Sequence, residues 1–99
     1  MPTGKILAPL VFTDGRLAGY VNFQAQLQVA PDKAEWMTAR LPLLLHAINM
    51  RTYRTPMASG PDGMLPDIVA IRRVIMVSSD EVFGKGLVKQ VAVTEATPA

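Results

Sequence analysis

Between Gly19 and Ala30 the chain alternates almost without fault. Val21, Phe23, Ala25, Leu27 and Val29 are apolar, and Asn22, Gln24, Gln26 and Gln28 between them are polar. A period of two is that of a strand buried on one face and wet on the other. The wet face carries amides and no charge, which suits a solvated sheet face and could also hydrogen-bond a neighbouring strand or a partner. Upstream, Ile6 to Thr13 reads as a first strand, with Pro9 inside it. Proline cannot donate to a ladder, so this strand belongs at an edge or a bulge. Asp14-Gly15 lies between the two apolar runs and predicts a hairpin, with Gly15 at positive φ.

After Pro31-Asp32 the period becomes helical. Met37, Leu41, Leu44, Leu45 and Ile48 recur at helix spacing and lead on to Thr52 and Tyr53. The pattern predicts a helix from Lys33 to Tyr53, opened by a capping box of Asp32 and Glu35 and bent near Pro42. Thr55 to Gly63 holds two prolines and two glycines in nine residues and predicts a loop. A second helix follows, with Pro66 in its first turn and Leu65, Ile68, Ile71 or Arg72, and Ile75 as its apolar face, ending near Ser79. Asp80 to Gly86 reads as a loop and Leu87 to Thr94 as a last strand. In that strand Leu87, Val91 and Val93 face one way and Val88, Gln90 and Ala92 the other, with Lys89 interrupting the first set. Glu95 to Ala99 reads as a frayed tail. The sum is an α+β fold in one domain, residues 1–99. A small antiparallel sheet, made of the N-terminal hairpin and the C-terminal strand, packs on two helices. Phe23, Leu27, Leu41, Leu45 and Ile48 are its predicted core.

Composition narrows the function classes. The chain has 99 residues, 49% hydrophobic and 18% charged, which suits one globular domain. It has no cysteine, so disulfides, thiolate nucleophiles and cysteine-ligated metals are excluded. One histidine, His46, excludes a multi-histidine metal site within one chain. The net charge of +2 is spread along the sequence, with no Lys/Arg run longer than Arg72-Arg73. Nucleic-acid binders concentrate cations on one face, so no nucleic-acid partner is expected. The start of the chain has no apolar run of signal-peptide length, and Leu41 to Ile48 is too short to span a bilayer. The expectation is either a cytoplasmic protein or one whose N-terminal anchor is missing from this chain.

The remaining candidates for chemistry are few. His46 has Pro42, Leu43, Asn49 and Met50 as helical neighbours and no carboxylate among them, so it reads as structural or surface-exposed. Ser78-Ser79-Asp80-Glu81 reads as an ordinary helix end. Gly60-Pro61-Asp62-Gly63 and Gly84-Lys85-Gly86 lack the spacing of a phosphate loop. Neither catalysis, a cofactor nor a metal is expected. The arginines say more. Arg51, Tyr53 and Arg54 end the first helix, and Arg72 and Arg73 lie in the second. Dipole complementation and solvation account for each arginine singly. Arginine and tyrosine also anchor interfaces, and Met50, Met57 and Met64 lie nearby, so these five residues are the predicted interaction surface.

The order of elements resembles the periplasmic domain of the flagellar basal-body-associated FliL family. That family pairs an alternating strand, here Tyr20 to Val29, with an acid-started helix carrying Leu-Pro and an apolar run. The matching residues are Asp32-Lys33-Ala34-Glu35, Leu41-Pro42 and Leu43 to Ile48. The Ser/Thr-Tyr step that ends the family's helix corresponds to Thr52-Tyr53. Its glycine-containing segment and second helix correspond to Pro61-Asp62-Gly63 and Leu65 to Ile75, and its last strand to Gly86 to Thr94. The resemblance implies a stomatin-like (SPFH) fold and a non-enzymatic, self-associating accessory of the flagellar stator. It places the domain on the periplasmic face of the inner membrane, touching the membrane only through the missing anchor. No catalytic residue carries over, because the family has none. The alternative is a soluble adaptor or ligand-binding α+β domain with no flagellar connection.

Overall fold

A thirteen-residue strand, Leu17–Val29 (β2), is the longest strand of the fold. At about 3.3 Å per residue it spans about 43 Å, which sets the long dimension of the molecule, 44 Å. The computed structural model describes residues 1–60 and 65–99. The predicted loop residues Pro61-Asp62-Gly63, and Met64, lie outside the described residues. β2 is central in an antiparallel sheet of order β1-β2-β5, flanked by Ile6–Val11 (β1) and Val88–Pro98 (β5). The helices are Ala34–Ala39 (α1), Leu41–Thr52 (α2) and Ile68–Phe83 (α3). Two short strands, Ala58–Ser59 (β3) and Leu65–Pro66 (β4), pair between α2 and α3. The fold class is α+β, as the sequence pattern predicts.

The hairpin forms at Asp14-Gly15. The Phe12 amide donates to the Arg16 carbonyl and the Gly15 amide to the Phe12 carbonyl, each at 2.9 Å, with Gly15 at φ +88°. The Arg16 amide, first, and its guanidinium hold the exposed Asp14 carboxyl below the usual carboxylate range. Pro9 lies in an edge strand opposite Tyr20, and a register irregularity follows between Leu10 and Val11. Phe23 and Leu27 are buried while Gln26 and Gln28 are exposed, so the predicted register of β2 holds.

The first helix differs from the single bent one predicted. It is two helices, separated at Arg40 (φ −102°, ψ 7°). Pro42 sits in the first turn of α2, where its missing N–H has no intrahelical partner to lose. The capping box does not form. Asp32 is drawn into a 3-10 turn, Pro31–Lys33, and the extended residue before that turn is Ala30, which has no acceptor side chain. Neither start carries a side-chain cap.

The second helix also shifts. Pro66 belongs to β4, and Asp67 caps α3 by accepting the Ala70 amide at 3.2 Å. The buried stripe is Ile71, Val74, Ile75, Ser78, Ser79 and Phe83, whereas Leu65, Ile68 and Arg72 are exposed. Because the stripe continues to Phe83, the helix runs past Ser79 and consumes half of the predicted loop. The chain then turns at Gly84 and Gly86, both at positive φ.

β5 corrects the sequence reading twice. Val29 pairs with Val88 and Gln28 with Gln90, so Lys89 is an extra residue. This bulge turns Val88 to the core together with Val91. A second bulge falls at Thr94. The predicted frayed tail is strand: Ala96 pairs with Phe23, Thr97 with Asn22 and Pro98 with Val21, and the Ala99 amide donates to the Tyr20 carbonyl at 2.9 Å.

α2 packs on β1 and α3, and α3 on β5. Phe23, Leu10, Leu27, Met37, Leu44, Ile48, Met57, Ile71 and Ile75 are the largest fully buried side chains of one cluster. Leu41 and Leu45, predicted to be buried, are only half-buried at its margin; Leu44 takes the central place. The reason is phase, since Leu44, Ile48 and Thr52 stand one above another on the inner face of α2. Leu44→Ala should therefore destabilise by about 2–5 kcal/mol, and Leu45→Ala by clearly less. Denaturant unfolding followed by the fluorescence of the sole tryptophan, Trp36, measures both. The Ser78 hydroxyl is buried with no hydrogen-bond partner among the described residues. A buried unpaired hydroxyl costs about 1–3 kcal/mol, so Ser78→Ala should leave stability unchanged or raise it in the same assay.

Candidate functional site

α2 is apolar on two sides. Leu44 and Ile48 face the core, while Leu43, Ala47 and Met50 form a second stripe at helical spacing. Leu43 is 59% exposed and Met50 51% exposed. The core does not need this stripe. Beside it runs the outer face of α3, with Val77, 40% exposed, and the half-buried Val82.

Two surface hollows lie along the line where these faces meet. The larger, about 390 Å³, is lined by Leu43, Ala47, Met50 and Val82, with Arg51, Arg54, His46 and Glu81 around them. The smaller, about 100 Å³, is lined by Arg51, Thr55, Arg73, Val74 and Val77. Arg51 lines both, and its guanidinium forms an ion pair with Glu81 that ties α2 to α3. The groove thus has an apolar floor and three arginines, Arg51, Arg54 and Arg73, against one carboxylate, Glu81.

Three of the five predicted interaction residues, Arg51, Arg54 and Arg73, are brought together here from two helices. Tyr53 and Arg72 are exposed but line neither hollow. Of the nearby methionines, Met50 is on the groove and Met57 is fully buried in the core, so Met57 is no surface contact. Sequence reasoning passed over Leu43, Ala47, Val77, Val82 and Glu81. The spacing of Leu43, Ala47 and Met50 was the available signal. The sequence pattern puts Glu81 in a loop, whereas the last turn of α3 carries it opposite Arg51.

His46 is exposed on α2 and lines both the larger groove hollow and a separate one of about 340 Å³ near Lys5 and Leu7. The amide face of β2 is crossed by a carboxylate from β5, because the Gln24 Nε2 donates to Glu95 at 2.6 Å. Among the described residues, no group of three or more His, Asp or Glu side chains is placed to hold a metal ion. No helix among them is long and apolar enough to cross a membrane. The chain matches no family model, no curated protein and no solved structure.

An apolar floor rimmed by guanidinium groups can desolvate apolar side chains while pairing with carboxylates. Arg51 and Glu81 are partly exposed, so their pair contributes little to folding. A double-mutant cycle of Arg51→Ala and Glu81→Ala should give a coupling energy of about 1 kcal/mol or less in denaturant unfolding. A larger value would make the pair a structural clamp and not a surface feature.

Proposed function

We propose that this chain is a non-catalytic protein-interaction domain. It docks other protein through the groove between α2 and α3 and works, as the FliL-like resemblance implies, within an assembly at the flagellar stator. The observation that carries the interaction reading is the second apolar stripe of α2, which serves no core and is exposed beside a basic rim. Large apolar side chains grouped on a surface and flanked by arginine have the composition of binding surfaces. The flagellar reading is supported by chain order: a hairpin, a helix beginning Leu-Pro, a second long helix and a closing antiparallel strand.

Self-association belongs to this reading and should be weak for the soluble chain. Holding copies in a membrane raises their effective concentration without any new contact. Sedimentation velocity over a wide concentration range should show a rise in average mass at the upper end. Deletion of the gene from its host should slow swimming most under viscous load. A chain that stays monomeric at every concentration, in a host whose swimming is unaltered by the deletion, would remove the stator reading. Association without any swimming defect would favour a soluble adaptor.

A further inference from the structure

The occupant of the groove can be specified from its charge, an inference that rests on the interaction reading above. We infer that the groove between α2 and α3 receives an acidic, amphipathic segment of a different protein, apolar side chains down and carboxylates toward Arg54 and Arg73.

Three observations lead to this partner. The floor, formed by Leu43, Ala47, Met50 and Val77, is apolar and needs covering by apolar groups. The rim is basic. Arg54 lines one hollow and Arg73 the other, and both side chains are exposed. Arg51, between the hollows, already has its carboxylate in Glu81. Among the described residues, Arg54 and Arg73 are therefore the groove arginines left to an incoming chain. Guanidinium groups pair with carboxylates in a planar, bidentate manner, and beside an apolar floor such pairs are screened less than in open water.

The same charges argue against a second copy seated symmetrically on this groove. A two-fold contact matches a patch with itself, so Arg51, Arg54 and Arg73 of one copy would meet those of the other. Like charges so juxtaposed oppose docking. Self-association in the proposed function must then use another face, and the groove is left for a partner.

Selection of random linear peptides displayed against the immobilised intact chain tests the assignment. The enriched sequences should combine Asp or Glu with Leu, Met or aromatic residues. A synthetic peptide of the enriched sequence should lose affinity roughly tenfold or more on Arg54→Glu with Arg73→Glu, and comparably on Leu43→Ser. It should keep part of its affinity on Arg54→Lys with Arg73→Lys, which retain the charge and lose the planar pairing, and should weaken as salt is raised. These substitutions are at exposed positions and leave the Arg51–Glu81 pair in place, so the fold should persist, which thermal unfolding verifies. Enrichment of neutral or basic peptides, peptides indifferent to both sets of substitutions, or no enrichment at all would overturn the assignment. So would loss of self-association in the Arg54→Glu, Arg73→Glu variant, because that result puts a second copy in the groove. Each of these leaves the interaction-domain reading to its own sedimentation and swimming tests, so the two can fail separately.

Discussion

The constraint on which the structure depends is the length of β2. Thirteen consecutive residues in the middle of a sheet present backbone donors and acceptors on both sides, and buried ones must be paired. No single neighbour is long enough on the hairpin side. β1 covers Leu17 to Phe23. The first residues of the chain take over from there: Thr3 bonds Ala25 through both its amide and its hydroxyl, and Met1 bonds Leu27. On the other side β5 runs to Pro98 and so pairs Val21 to Val29, and the Ala99 amide adds Tyr20. The residues that look like loose ends in the sequence are thus the ones that complete the central strand. Helices cover one face of this sheet, and β1 and β5 lie on either edge.

The second dependence is between α2 and what packs on it. A domain of this size has a limited core, and α2 contributes Leu44 and Ile48 from its inner face only. A helix that is apolar on the opposite side as well has more apolar surface than this fold can bury. Leu43 and Met50 therefore remain in water, and the Arg51–Glu81 pair bridges α2 and α3 beside them. Because the ion pair is partly exposed, it adds little to the stability of the fold.

How much of this was legible follows from the kind of signal each element carries. β2 was plain because Val, Phe and Leu alternate with amides, and a one-residue slip would bury every Gln. The hairpin was plain because Asp14-Gly15 is a turn with a mechanism. Leu43-Leu44-Leu45 was not, since three adjacent leucines fit any helix phase and only tertiary packing selects Leu44. The bulges at Lys89 and Thr94 left no trace in the pattern, because a bulge is an agreement between two strands and the sequence shows one at a time. The end of α3 was hidden by Ser78, Ser79, Asp80 and Glu81, which look like a helix end but are carried onward by Val82 and Phe83. That error propagated to the site. With Glu81 in a loop, Arg51 had no partner, and the arginines of two helices could be suspected but not assembled into one groove.

The separation between the two faces of α2 bears on how such a surface can change. The inner face is held by packing, where a lost methylene group is felt directly as lost stability. The outer face touches little of its own fold, and substitutions at exposed positions usually move stability by about 0.5 kcal/mol or less. Leu43, Met50, Arg54 and Arg73 can therefore be exchanged at little cost to the fold while Leu44, Ile48 and Ile71 keep the scaffold intact. A catalytic site rarely has that freedom, because its groups must be held in place by the same packing that holds the fold. A docking groove of the kind proposed needs only a floor and a rim, and two packed helices bridged by the Arg51–Glu81 pair carry both.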